Sequence, residues 1–493
     1  MARFRRAMIV GACVTVGSVL AVVPAAVAKT DSLDRDLLGA VRSVDFGEVI
    51  DFGPVDYACP QASFCPSPAP RIAHPPNVDM AVIELGRHGR ARAAANVLLS
   101  RDYPNGLRVP IDPQLGTTAV RFRRWDIDRW DGGTFAGDGT QTSVKGWKDD
   151  PALTAADDIV DGRERAPYEL MSPYPASLFK LMIAFHTLRL VDRGALDLDA
   201  DYTYNPVGGC AGAAAATKSN RRWLKAMITA SDNRAACALV KQLHRLDEVE
   251  GMNEELHGLG LGTLQFNGSS PKTGGVWQPG QIHMTALDTA RLLWLIEGAP
   301  GVLWRAPDGR RVTARVLSRR SRRLLKRLLV QQGFNDQLST SNWCGRDYPA
   351  AGIPQRVAKR WIDPHDGTVS VADKHYGRDV RPCNATAEVT FAHKTGFTYN
   401  YASDAGIVRS LPGKPRRRYI IAFLSNLGQR YGDPRFAAAA ELPCDDPGVC
   451  YTEKIAQLGK RVDKLLTRTG PSRHRRPGRS PGARRRSPGH RGS

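Results

Sequence analysis

Residues 178–191 read Leu-Phe-Lys-Leu-Met-Ile-Ala-Phe-His-Thr-Leu-Arg-Leu-Val, apolar on every helical face, and the turn-forming stretch Ser-Pro-Tyr-Pro at 172–175 precedes them abruptly. Such a switch marks a helix start, and all-round apolarity marks a helix buried in a core rather than laid on a surface. Gly194 supplies the left-handed stop. A second helical pattern, residues 223–240, pauses at Ser231-Asp232-Asn233 and resumes, which predicts two helices joined by a polar connector facing a cavity. Residues 78–100 predict one helix and residues 249–256 another. Residues 387–396, 405–409 and 418–425 have the content of consecutive antiparallel strands, and residues 119–130 are further strand material. Residues 451–466 suit a C-terminal helix. In residues 310–326 Arg319, Arg320, Arg322, Arg323 and Lys326 alternate with leucines, the pattern of an amphipathic helix with a solvated basic face.

The two ends of the 493-residue chain differ from its middle. Arg3, Arg5 and Arg6, then an apolar run over 8–23, then Ala26-Val27-Ala28 fit a cleaved secretory signal, so the mature protein is expected to begin near Lys29 and to be secreted or held at the cell envelope. Cys13 lies in that signal. The other eight cysteines form an even set without metal spacing, as an oxidising compartment favours. Cys59 with Cys65 and Cys444 with Cys450 look like local loop staples, which leaves Cys210 with Cys237 and Cys344 with Cys383 as expected pairs. Residues 29–165, rich in Pro and Gly at 59–76 and 131–140, hold no catalytic motif and are expected to be an N-terminal extension leading into the first helix and strands of the main domain. Residues 166–467 have the composition of one globular domain. Residues 468–493 are Gly, Pro, Ser and Arg without a large apolar side chain, a disordered tail. That tail carries much of the net charge of +21, and in an exported protein its partners would be anionic polymers of the envelope rather than nucleic acid.

Two polar residues interrupt the central helix near its start. Ser177 and Lys180 are three apart and share one face, and a lysine desolvated at a helix N-terminus is a base able to take a serine proton. The Ser-Asp-Asn connector adds a hydroxyl and a carboxamide, and Lys394-Thr395-Gly396 places a cation and a hydroxyl at the end of a predicted edge strand, where a carboxylate and a peptide-like backbone can both be bound. Lys272-Thr273-Gly274 repeats the letters of the last motif, but it lies among Asn, Gly, Ser and Pro and reads as loop.

Taken in order, Ser177-x-x-Lys180, Ser231-Asp232-Asn233 and Lys394-Thr395-Gly396 resemble the motifs of class A serine β-lactamases and penicillin-binding D,D-peptidases, and residues 188–204 and 284–293 are similar to class A segments as well. The resemblance covers roughly residues 165–467. It implies a three-layer α/β/α domain with an antiparallel five-stranded sheet, the Ser177 helix at its centre and the terminal helices paired on one face. It implies that Ser177 attacks the carbonyl, Lys180 takes its proton and Ser231 passes a proton to the leaving nitrogen. Asn233 would hold the substrate side-chain amide, Lys394 and Thr395 its carboxylate, with Gly396 and Phe397 as further substrate-binding positions, and the N–H groups of Ser177 and Phe397 would form the oxyanion hole. No metal or organic cofactor is implied. The expected partner is a β-lactam or a D-Ala-D-Ala-type peptide, met by a monomer.

The sequence departs from class A in one place that bears on chemistry. No Asp or Glu occurs from Leu256 through Leu287, the loop where class A enzymes carry the glutamate that activates the deacylating water, and Glu254 and Glu255 come too early. Losing a general base costs on the order of 10² to 10⁴ in rate. His393 and the bulky Phe397 flank the third motif as further departures. Three readings follow: a β-lactam hydrolase with slow deacylation, a D,D-carboxypeptidase or muropeptide hydrolase of the wall, and a non-catalytic envelope protein. His74, His88 and His186 are scattered, and His186 on the buried helix is expected to be a hydrogen-bonded core residue.

Overall fold

The computed structural model describes residues 30–50, 71–72, 74–124, 153–205, 210, 215–275, 277–344, 351–431 and 450–468. The segment expected to be an export signal, residues 469–493 of the expected tail, and the expected pairings of Cys59 with Cys65 and of Cys444 with Cys450 lie outside the described residues.

Residues 78–100 do not form the expected helix. They are two strands, Val78–Leu85 and Ala91–Leu99, joined by a turn in which Gly89 takes φ +78°. The pattern misleads because both faces of the hairpin are covered. Ala81, Ile83 and Leu85 enter one hydrophobic core, while Val78, Met80 and Val82 enter another, so no regular alternation of polar and apolar residues marks a solvent side. The alanines of the second strand keep it thin between the two helical layers.

The full antiparallel sheet runs in the order Val389–Phe397, Ala402–Ser410, Arg418–Ser425, Val78–Leu85, Ala91–Leu99, Leu107–Arg108. Five of these strands hold eight or nine residues, as the resemblance implied, and the last is a two-residue edge. Helices lie on both faces, which completes the three layers. On one face Thr30–Arg42 and Tyr451–Arg468 share a core through Leu33, Leu37, Val41, Ile455, Leu458 and Val462. The central helix lies on the other. A 3-10 turn at Ala176–Phe179 leads into Lys180–Asp192, whose residues from Leu181 through Leu188 are all buried. It stops as expected, with Gly194 at φ +75° donating to the Val191 carbonyl and Ala195 to that of Leu190.

Residues 310–326 differ from expectation at their start. Arg311–Thr313 is the second strand of a hairpin, and the basic helix runs only Arg319–Val330, because Ser318 caps it by accepting from the Ser321 N–H. Its Leu325, Leu328 and Leu329 are buried, with Arg319, Arg320, Arg323 and Arg327 exposed.

Between that helix and the Lys394 strand, residues 331–344 and 351–388 build a small core of their own around Phe334, Trp343, Val357, Val369, Val371, Tyr376 and Val380. The Cys344–Cys383 bridge closes it, and the Cys210–Cys237 bridge ties the loop after Tyr204 to the helix that follows the Ser-Asp-Asn connector.

Candidate active site

Three elements converge on Ser177. The parallel strand pair Val120–Arg124 and Tyr168–Ser172 delivers the chain to the 3-10 turn, in which Ala176 adopts φ +47°, and Ser177 is left half-exposed. The strand Val389–Phe397 lies against that turn. A β-carbon at Gly396 would stand 2.5 Å from the Pro175 carbonyl oxygen, 2.6 Å from Ser403 Oγ and 2.7 Å from the Leu178 nitrogen, so only glycine permits the approach. Ser403 Oγ donates to the Pro175 carbonyl at 2.6 Å and fastens the same seam. The third element is the break between helices Asn220–Thr229 and Asn233–Arg245. Asp232 caps the second helix by accepting from the Ala235 N–H at 2.9 Å, while Ser231 takes φ +55°, an uncommon conformation for a non-glycine residue that turns it out of the helical path.

Lys180 and Lys394 are both fully buried. Lys180 Nζ lies 2.6 Å from the Ser231 carbonyl oxygen, 2.6 Å from Asn233 Oδ1, 2.9 Å from Ser177 Oγ and 3.3 Å from Ser231 Oγ. Two of these partners only accept. A neutral amine has two N–H groups and one lone pair, so with its hydrogens given to the carbonyl and the carboxamide its lone pair faces the Ser177 hydroxyl. Burial first, and then the charge of Lys394, pull the Lys180 amine well below its ordinary pKa, with Asp232 acting weakly the other way. That is the state a proton acceptor needs.

Lys394 Nζ donates to Ser231 Oγ at 2.9 Å and to the Thr395 carbonyl at 2.6 Å. The Ser231 hydroxyl therefore stands between two amines, in contact with both. Burial lowers Lys394 from 10.5 to about 7, and Asp404 and Asp336 oppose the shift. Thr395 and Gly396 are buried, and Phe397 is half-exposed.

Every residue singled out from sequence is thus brought to one place: Ser177, Lys180, Ser231, Asn233, Lys394, Thr395, Gly396 and Phe397. The second Lys-Thr-Gly is not. It lies in a turn packed on the helix of Cys237, where a β-carbon at Gly274 would come within 2.0 Å of the Cys237 carbonyl oxygen. Glu255 is committed elsewhere. It accepts from Arg189 Nε at 2.6 Å and Arg193 at 2.8 Å and lies 3.1 Å from His186 Nδ1, whose Nε2 meets Glu248 at 2.9 Å, so His186 is the hydrogen-bonded core residue expected. In the loop that lacks a carboxylate, the Trp277 ring takes up the space near the amine, its centroid 5.9 Å from Lys180 Nζ.

Two features of the site go beyond what the sequence marks, although Phe397 and His393, which take part in them, flank the third motif. A groove of ≈ 440 Å³ opens beside Ser177, walled by Tyr174, Phe179, Trp277, Phe397, Tyr399 and Tyr401. Tyr174 and Phe179 stand next to Ser177 in the chain, but Trp277 arrives from a loop one hundred residues on. Behind Lys394, buried His393 lies 2.8 Å from Asp404 Oδ1 and 3.0 Å from Asn335 Oδ1, contacts that only the fold creates.

Residues 155–352 match the model of a family described as "Beta-lactamase enzyme family". The match takes in Ser177, Lys180 and Ser231. No curated protein matches the chain. Among solved structures, that of PBP-A is 20% identical over 59% of this chain and 81% of its own, with a TM-score of 0.36. An acyl-enzyme complex of a PBP-A mutant with penicillin G is 19% identical over the same shares, again at 0.36. A β-lactamase from Chitinophaga pinensis is 17% identical over 59% of this chain and 85% of its own, at 0.38.

Proposed function

We propose that this chain, which carries a domain of the serine β-lactamase and penicillin-binding superfamily, is an exported active-site-serine hydrolase that β-lactam amides acylate at Ser177 and that releases the acyl group slowly. The observation that carries the reading is the Ser177–Lys180–Ser231–Lys394 chain of contacts. In acylation the Ser177 hydroxyl gives its proton to Lys180 Nζ as its oxygen attacks the lactam carbonyl. Ser231, touching both amines, passes a proton to the leaving nitrogen as the C–N bond breaks. Lys394 and Thr395 hold the carboxylate and Asn233 the side-chain amide. The tight seam at Gly396 supports an oxyanion hole made of the Ser177 and Phe397 N–H groups, each donor worth about 3 kcal/mol.

Deacylation needs a water and a base for it. The loop that would supply a carboxylate presents Trp277 instead, and Glu255 is held by two arginines and a histidine. Hydrolysis of the ester therefore falls to Lys180 or bulk water, on the order of 10² to 10⁴ slower than with a dedicated base. The same deficit favours a second reading, a D,D-peptidase of the cell wall, whose acyl-enzymes with β-lactams persist. Incubation of the mature protein with a fluorescent penicillin, followed by intact mass, tests both. A label on Ser177 that outlasts minutes supports slow deacylation, turnover within seconds removes it, and labelling of a Ser177→Ala variant overturns the site itself.

A further inference from the structure

The groove beside Ser177 has a composition that the acylation chemistry does not require. Its twelve lining residues include six aromatic side chains and not one that ionises near neutral pH. Phe179 and Trp277 meet edge to face at 4.9 Å on one wall, Tyr174 and Tyr401 at 5.7 Å on the other. Phe397 is braced from behind by Phe334 of the 331–388 segment, ring centroids 6.0 Å apart. Phe179, Tyr174 and Tyr401 are buried and fix the shape, while Trp277, Phe397 and Tyr399 are half-exposed and present ring surface to the groove. Asn233 lines the same groove, whereas Lys180 and Lys394 do not. The groove therefore takes the side of the substrate that bears the acyl side chain, not the side that bears the carboxylate.

We infer that this groove is a neutral aromatic trough that selects substrates with an uncharged aryl group beside the scissile amide and rejects those with a charged one. The inference rests on acylation at Ser177 and narrows its substrate class. A planar apolar group gains by leaving water for stacked ring faces. An ammonium or carboxylate placed there loses hydration and meets no opposite charge among the lining residues. By the same reasoning a wall peptide is excluded as the favoured acyl donor when its side chain next to the reacting residue is charged.

The test uses two penicillins with one nucleus, a phenylacetyl penicillin and a zwitterionic aminoadipyl penicillin, so that lactam reactivity is matched. Their second-order rate constants for labelling Ser177 in the full mature chain are read by intact mass. The phenylacetyl compound is expected to react roughly 10- to 100-fold faster, the value of burying one ring. Trp277→Ala is expected to cut that ratio about fivefold or more, and Trp277→Phe to keep most of it. Tyr399→Ala, in the half-exposed turn, gives a second reading of the wall should the Trp277→Ala protein not fold. Equal rates, a preference for the aminoadipyl compound, or a ratio that neither alanine variant moves would overturn the inference while leaving Ser177 acylation standing. No label from either penicillin would overturn the acylation reading and this one with it.

Discussion

The buried amine pair gives the acylation step a pH dependence whose two limbs belong to different lysines. Lys394 must carry its proton to hold a substrate carboxylate, and burial brings it from 10.5 to about 7. At pH 9, two units above that value, about 1% of the free enzyme keeps the proton, so the rate constant for labelling by a penicillin should fall about 100-fold from its plateau. Lys180 has the opposite requirement. It must be neutral, and its own lowered pKa sets the acid limb. The assay is stopped-flow quenching of protein fluorescence between pH 5 and 10, with a penicillin and its methyl ester side by side. The ester has no carboxylate to lose and should show no alkaline limb. Lys394→Met should also move the acid limb to higher pH, since removing a neighbouring positive charge lets the Lys180 amine regain basicity. An alkaline limb shared by acid and ester, or an acid limb that Lys394→Met leaves in place, would refute the assignment.

Three further outcomes follow from the packing. Gly396→Ala forces a β-carbon to within 2.5 Å of the Pro175 carbonyl oxygen and should destabilise by about 2 kcal/mol, with labelling reduced on the order of 100-fold because the Ser177 turn is displaced; thermal unfolding and intact mass read the two effects. Replacing Cys210 and Cys237 together with Ser opens a loop of 27 residues and should remove about 3.5 kcal/mol, seen as a fall in Tm smaller than that caused by reducing the parent protein, which also opens the Cys344–Cys383 bridge. Glu255→Gln should lower Tm by loosening Arg189, Arg193 and His186 yet leave the lifetime of the acyl-enzyme unchanged; a tenfold longer lifetime would instead identify Glu255 as the missing base.

Much of this site was legible because its residues violate their surroundings. Lys180 is an amine inside an apolar helix, and Ser231-Asp232-Asn233 is a polar gap between two apolar runs; a chain that buries such groups must give them partners. The strand carrying Lys394 has clear β content and follows the other two motifs in order. The decoy at Lys272 failed for a local reason, its turn-forming neighbours. Other elements were illegible for an equally physical cause. The hairpin Val78–Leu85 and Ala91–Leu99 is buried on both faces, so its strands lose the alternation that identifies a strand, and its alanines imitate a helix. The arginine-rich segment was placed too early because charge alternation runs on through the hairpin, whereas the helix waits for the Ser318 cap.

What no local pattern contained is the packing behind Lys394. On the Val389–Phe397 strand successive side chains face opposite ways, so Lys394 points toward Ser231 while His393 and Phe391 share the other face, their rings stacked 4.1 Å apart. His393 is held there by Asp404 of the next strand and by Asn335 of the 331–388 segment. That segment also reaches the opposite wall of the site. The Gly333 N–H donates to the Thr229 carbonyl at 2.8 Å and Gln332 Nε2 to that of Ile228 at 2.9 Å, two and three residues before Ser231. One stretch of chain, with no catalytic motif of its own, thus grips both the strand that carries Lys394 and the end of the helix that leads into Ser231. The 2.9 Å contact between those two residues depends on elements far apart in sequence keeping a fixed separation, and residues 331–338 span that gap with bonds to each side. Burying a polar side chain in a core is costly, and Asn335 offsets that cost by meeting His393 Nε2 on the Lys394 strand at 3.0 Å while its Nδ2 donates to the Gly333 carbonyl at 3.0 Å and to Asn342 Oδ1 at 2.9 Å within the segment.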